Sequence, residues 1–232
     1  MAGEAVILAG GLGTRLREVV SDLPKPMAPV NGRPFLEYLL SYLQKYHIRK
    51  VILATGYKHE TISAHFGNNY KSLDIIYSVE KEPLGTGGAL LLATDKITDD
   101  NFLMLNGDTY FEVNLPDFEN FHVSSDAVMS VALRPVKNAG RYGTVTLNNG
   151  RIVSFSEKAG ESQGLINGGI YMINRDWFRS VAPGSSFSLE KDILEKKITG
   201  NFIAGFVSDS YFIDIGVPED YLRAAEELLP PD

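Results

Sequence analysis

Leu8-Ala9-Gly10-Gly11-Leu12-Gly13-Thr14-Arg15-Leu16, followed by Pro24-Lys25-Pro26-Met27, decides how this chain of 232 residues is read. The apolar run Ala5-Val6-Ile7-Leu8 ahead of it reads as a short buried strand. Three glycines in four residues let the backbone turn sharply and bring bare N–H groups against an anion. Thr14 adds a hydroxyl donor and Arg15 a forked cation matched to phosphate oxygens. Lys25, held between two prolines, is a second cation on stiffened backbone. Strand, glycine turn, arginine and clamped lysine together suit a nucleoside triphosphate. A ligand-free glycine turn accounts for the glycines but not for the two cations.

Two familiar phosphate loops do not fit. A Walker loop ends in Gly-Lys-Ser/Thr, a tripeptide this chain lacks. A dinucleotide fingerprint needs a glycine where Leu16 stands and an acidic residue closing the second strand, but Val51-Ile52-Leu53-Ala54 runs into Thr55-Gly56.

Working outward, the first half alternates strands and helices. Apolar spacing predicts a helix from Phe35 to Leu43, strands at 50–54 and 74–79, helices at 60–66 and 87–96, and a strand at 102–105 that delivers Asp108. Such βαβ alternation predicts a mainly parallel, Rossmann-like α/β sheet, with ligands at the carboxyl ends of its strands. The glycine turn, Glu80 and Asp108 then share one rim. From Asp126 onward β-like runs take over (127–133, 143–147, 151–156, 169–173), with Asn149-Gly150 as a hairpin turn; this region is expected to extend the sheet in mixed sense. Residues 188–197 read as helix, 202–207 and 211–213 as strands, and Pro218 opens a last helix. We expect a single domain over 1–232, divided into a nucleotide half of about 1–125 and a second half of about 126–232.

Composition narrows the partners. A formal charge of −7 argues against nucleic acid, so cations for a triphosphate must be concentrated locally. With no cysteine, disulfides and thiolate metal sites are excluded. His47, His59, His65 and His122 lack metal spacing and read as surface or packing residues. The N-terminus lacks a basic n-region and no apolar run approaches a membrane span, so a cytoplasmic enzyme is the expectation.

Asp108 and Asp214 each end an apolar strand. Together they suit Mg²⁺, which takes a couple of carboxylates plus phosphate and water oxygens; singly, each reads as a cap or turn aspartate, the commoner role in such a setting. Glu80, an acceptor with two oxygens, complements the adjacent N1–H and N2–H₂ donors of guanine, although it can also accept the single uracil N3–H or stand as a solvated charge beside Lys81 and Glu82. Glu157-Lys158, Asn167 and Gly143 offer a phosphate-holding cation, hydroxyl partners and open backbone, although by itself Glu157-Lys158 reads as a surface pair, as most such dipeptides are.

The Gly-Gly-x-Gly-Thr-Arg-Leu…Pro-Lys-Pro pattern resembles the signature of sugar-1-phosphate nucleotidyltransferases. The similarity continues through Glu80 to Gly88, Asn106-Gly107-Asp108, Glu157-Lys158, Asn167 to Tyr171 and Asp214 to Asp220. The resemblance implies a GT-A-like nucleotidyltransferase fold, here without room for the C-terminal β-helix of larger relatives. It further implies transfer of a nucleoside monophosphate from an NTP to a sugar 1-phosphate, releasing pyrophosphate. By the same resemblance Arg15 and Lys25 are catalytic, and Leu8, Gly10, Gly11, Gly13, Thr14, Glu80, Gly85 and Thr86 hold the nucleotide. Gly143, Glu157, Lys158 and Asn167 hold the sugar phosphate, and Asp108 and Asp214 bind Mg²⁺. Similarity to short bacterial members implies GTP and a heptose 1-phosphate, and a product used in surface polysaccharide synthesis. Mannose 1-phosphate with GTP, other sugar 1-phosphates with UTP, CTP or dTTP, a silent nucleotide-sugar-binding subunit and a sugar-nucleotide-using glycosyltransferase stay open as alternatives, as does oligomeric state.

Overall fold

The structure, a computed structural model, describes residues 2–11, 23–140, 142–157, 163–198 and 200–231, with backbone alone at Glu157. In chain order the first half runs β1 (Glu4–Leu8), a 3₁₀ turn (Lys25–Met27), the hairpin β2 (Pro29–Val30) and β3 (Arg33–Pro34), α1 (Phe35–Lys45), β4 (Lys50–Thr55), α2 (His59–Phe66), β5 (Asn69–Tyr70), β6 (Leu73–Val79), α3 (Gly85–Thr94) and β7 (Asn101–Asn106). The second half runs β8 (Thr109–Phe111), α4 (Leu115–Ser124), β9 (Met129–Val136), β10 (Gly143–Asn148), β11 (Arg151–Glu157), β12 (Gly164–Asn174), α5 (Arg175–Val181), a π-helical segment (Leu189–Leu194), β13 (Ile203–Val207), β14 (Phe212–Asp214) and α6 (Pro218–Glu227).

Among the described residues one mixed sheet of ten strands, ordered β10-β11-β13-β9-β12-β7-β1-β4-β6-β5, carries both halves. Its β7-β1-β4-β6 stretch is parallel. β12 enters antiparallel between β7 and β9, and β13 returns parallel to β9. The central strands are apolar on both faces because both are covered. Ala5 and Ile7 of β1, Val51 and Leu53 of β4, and Leu103 and Leu105 of β7 join the core under α1, α2 and α6. Their alternates Val6, Ile52, Phe102 and Met104 join the opposite core with α3, α5 and the π-helical segment.

Three features depart from the sequence expectations. α4 and α5 were not read from the sequence; each is opened by an asparagine cap, Asn114 Oδ1 accepting from Asp117 N at 3.1 Å and Asn174 Oδ1 from Trp177 N at 2.9 Å. The segment at 188–197 is π-helical over Leu189–Leu194 only. The strand expected at 169–173 starts at Gly164, with a register shift between Asn167 and Tyr171 against β9. The Asn149-Gly150 turn is present, with φ of 47° and 77°.

Candidate active site

Because α1 and α2 cover one face and α3 the other, the winding reverses between β1 and β7, and a crevice opens at the carboxyl ends of these strands. Backbone hydrogen bonds tie its rim together. Gly107 N donates to Leu8 O at 3.0 Å, Ala9 N to Ala54 O at 2.7 Å and Glu80 N to Thr55 O at 2.9 Å. The loops after β1, β4, β6 and β7 are thereby fixed to one another, and the glycine turn, Glu80 and Asp108 share a rim as the sequence predicts.

Two adjoining cavities follow that rim. The larger, about 470 Å³, is lined by Leu8, Gly10, Gly11, Glu80, Gly85 and Thr86 among others, with Tyr57 on its wall. Glu80 is half-buried and its Oε2 accepts from Leu84 N at 3.1 Å, whereas Lys81 and Glu82 are exposed. Its Oε1 lies against Gly56, where a Cβ would come within 2.6 Å of it. Gly85 opens α3 at φ +73°, and a Cβ there would meet Phe187 O at 2.6 Å. That carbonyl accepts from Gly87 N at 3.0 Å and Gly88 N at 3.2 Å, stapling the loop before the π-helical segment onto the start of α3.

The smaller cavity, about 190 Å³, shares Leu8, Gly11 and Thr86 with the first and adds Lys25, Asp108 and Glu190. The two-stranded ladder of β8 and β14 sets Asp214 opposite Thr109, and Ile215 N donates to Asp108 O at 3.0 Å, so two aspartates far apart in sequence end side by side. The Lys25 ammonium bonds Asp108 Oδ2 directly and lies 4.0 Å from Asp214 Oδ1. Lys25 is 14% exposed, against 35% and 28% for the two aspartates, so the carboxylates are reachable from solvent. Among the described residues no group of three or more His, Cys, Asp or Glu could enclose a metal. A pair of open carboxylates nevertheless fits Mg²⁺, whose remaining ligands are phosphate and water oxygens.

Of the residues expected on the sugar-phosphate side, Gly143, Glu157 and Asn167 gather at one end of β10, β11 and β12. Gly143 pairs with Glu157, and Thr144 pairs with Ile166, the neighbour of Asn167. Asn167 Oδ1 accepts from Gly169 N at 3.1 Å and its Nδ2 donates to the buried Tyr171 hydroxyl at 2.5 Å, which leaves one amide hydrogen and one lone pair for a ligand. At Gly143 a Cβ would meet the Phe155 ring at 2.7 Å, so the missing side chain also makes room for packing. Gly13, Thr14, Arg15 and Lys158 lie outside the described residues.

Sequence reasoning missed Glu190. Its Oε2 accepts from Thr86 Oγ1 at 2.7 Å and from Ser188 Oγ at 2.9 Å, while Thr86 Oγ1 itself accepts from Leu189 N at 2.9 Å. Thr86, expected to hold nucleotide, thus has its hydroxyl turned to a carboxylate at the boundary of the two cavities.

A doubly wound sheet with a glycine-lined base-sized cavity, an adjoining lysine and a pair of open aspartates is the arrangement of a phosphoryl-transfer enzyme. The chain belongs to the nucleotidyl transferase family, whose profile matches residues 4–230. It is 51% identical over 225 residues to the D-glycero-alpha-D-manno-heptose 1-phosphate guanylyltransferase of Aneurinibacillus thermoaerophilus, covering 97% of this chain and 98% of the relative. Identity to the enzyme of that name from Campylobacter jejuni is 44% over 221 residues, 94% and 96% of the two chains. The crystal structure of HddC from Yersinia pseudotuberculosis complexed with GMP-PN superposes with a TM-score of 0.86 at 37% identity, covering 97% of this chain and 98% of that one.

Proposed function

We propose that this enzyme transfers GMP from GTP to D-glycero-α-D-manno-heptose 1-phosphate, releasing pyrophosphate and forming a nucleotide sugar for surface polysaccharide synthesis. The observation that carries the reading is the convergence of Lys25 with Asp108 and Asp214 beside the cavity that contains Glu80. The similarity to two heptose 1-phosphate guanylyltransferases over nearly their full lengths supports the choice of acceptor and base.

A phosphate oxygen of the acceptor attacks the α-phosphorus of GTP in line, the bond from that phosphorus to the β-bridging oxygen breaks, and pyrophosphate leaves with the electron pair. The nucleophile is already anionic near neutral pH, so no general base is needed, and catalysis reduces to positioning and charge neutralisation. In this reading Leu8, Gly10, Gly11, Gly13, Thr14, Gly85 and Thr86 line the nucleotide path, and Glu80 accepts from the guanine N1–H and N2–H₂. Arg15 holds the β- and γ-phosphates, Lys25 moves from Asp108 toward the α-phosphate, and Lys158 aims the acceptor phosphate, with Gly143, Glu157 and Asn167 around the sugar. Asp108 and Asp214 would hold Mg²⁺, which when bound neutralises phosphate charge. We further place the reaction in the cytoplasm; among the described residues no helix is long and apolar enough to cross a membrane.

The test is pyrophosphate release across a matrix of GTP, ATP, UTP, CTP and dTTP against heptose, mannose and glucose 1-phosphates. GTP with the heptose 1-phosphate is expected to give the highest kcat/KM. A preference for a pyrimidine triphosphate overturns the base assignment, and absence of turnover with every pair overturns the activity.

A further inference from the structure

We propose that Glu190 is a specificity-determining residue whose free carboxylate oxygen accepts a hydroxyl from the exocyclic tail of the acceptor sugar, beyond C5. The proposal rests on the heptose reading above and deepens it.

The argument starts from how Glu190 is held. Oε2 is doubly engaged by the Thr86 and Ser188 hydroxyls, which fixes the plane of the carboxylate. Leu189, the preceding residue, is fully buried and its N–H is spent on Thr86, so the backbone that carries Glu190 is anchored as well. Oε1 has no partner among the described residues, and Glu190 lines the 190 Å³ cavity together with Lys25 and Asp108. Two carboxylates line that cavity. Asp108 is committed to Lys25, whereas Glu190 pairs with no cation among the described residues. A carboxylate oxygen without a cation, held rigidly at the edge of this cavity, calls for a neutral O–H donor rather than for phosphate, which it would repel.

The acceptor supplies such donors at a place the other residues leave unread. Heptose and mannose 1-phosphates share the ring hydroxyl pattern and differ by one hydroxylated carbon past C6. In the proposed reaction the phosphate end of the acceptor faces Lys158 and the GTP α-phosphate, and Asn167 stands on the β12 side of the sheet. Glu190 comes from the opposite layer, behind α3, where its segment packs into the other core. A site built around a hydrogen bond to a hydroxyl rejects an analogue lacking it far better than an apolar wall senses a methylene, because the polar group is left unpaired.

The experiment compares kcat/KM of the wild type and Glu190→Gln for three acceptors with GTP: the heptose 1-phosphate, mannose 1-phosphate and 6-deoxymannose 1-phosphate. Glutamine keeps the shape and removes the charge. We expect the heptose value to fall roughly 10- to 100-fold, the scale of a hydrogen bond to a charged group, and the 6-deoxy value to fall least, so that the spread among acceptors narrows. Equal losses on all three acceptors overturn the proposal in favour of a structural role, and a rise in KM for GTP alone overturns it in favour of the nucleotide ribose. Wild-type preference for mannose 1-phosphate overturns the heptose reading instead; Glu190 is then judged by whether the variant narrows the gap between mannose 1-phosphate and its 6-deoxy analogue. If Glu190→Gln melts before assay temperature, Glu190→Asp, which keeps the charge and shortens the reach, is compared on the same acceptors with the same criteria.

Discussion

Lys25 sits with its ammonium between two carboxylates that remain open to solvent, so its charge offsets one of theirs, and in the proposed reaction it passes to phosphate. Lys25→Ala is expected to fold and to lose roughly a hundredfold to a thousandfold in turnover, the usual scale for a lost charge-stabilising contact. Initial rates of pyrophosphate release at saturating substrates measure it, and a folded variant with full activity would remove Lys25 from the reaction. Glu80 makes a second case. Glu80→Gln replaces one acceptor by a donor, so kcat/KM for GTP is expected to fall roughly 10- to 100-fold while that for UTP falls less; an unchanged GTP:UTP ratio rules out Glu80 as the reader of the base. Both residues were legible in the sequence because their settings are local: a lysine between prolines, and a glutamate closing an apolar strand ahead of a glycine turn. Glu190 was not. In Ser188-Leu189-Glu190-Lys191 it reads as an ordinary charged position on a helix, and only the fold carries it to Thr86, 104 residues earlier in the chain.

At the scale of elements, the start of α3 is the joint between the two cavities, with Gly85 lining the larger and Thr86 lining both. Gly85 adopts φ +73° there, and the Phe187 carbonyl occupies the space a side chain would take. Gly85→Ala is therefore expected to destabilise the fold by about 1–2 kcal/mol from the left-handed backbone alone, and to raise KM for both substrates because the loop carrying Glu190 is pushed away. Thermal melting and two-substrate kinetics check this; an unchanged melting temperature together with unchanged KM values refutes it. Elements with strong apolar periodicity, such as α1 and β1, follow the pattern in the sequence closely. Those missed have weaker signals. α4, Leu115–Ser124, buries only Leu115, Phe118 and His122, and its beginning is marked by Asn114 and Pro116 rather than by an apolar stripe. α5 is seven residues long and hangs on Asn174. The pairing of β8 with β14 is non-local and involves three residues on each side, which no periodicity can reveal.

Across the whole molecule, stability should depend on acid through two buried groups. Desolvation lowers the pKa of His122 to about 4, and its ring nitrogens face Ser130 Oγ at 2.9 Å and Asn101 Oδ1 at 3.3 Å. The unfolded chain takes up a proton near pH 6.5, the folded chain only near 4, so the stability due to the neutral ring is full above pH 6.5 and is lost as pH falls to 4. The upper bound on that loss is about 3 kcal/mol. Burial works to raise the pKa of Glu4, yet N–H donors from Asp99 and Thr98, the Thr98 hydroxyl and Lys50 hold it at about 2, so its contribution is lost between about 4.5 and 2. Melting curves of the wild type and His122→Gln are expected to differ most near pH 7.5 and to converge as pH falls to about 4; a constant difference excludes His122 as the titrating group. The aspartate pair has a different consequence. Asp214 lies far downstream of Asp108 in the chain, and the β8–β14 ladder, with the Ile215 N to Asp108 O bond, holds the two side by side. A nascent polypeptide emerging from the ribosome thus carries Asp108 long before Asp214 is made, and the acid pair is complete only when β14 has paired back onto β8.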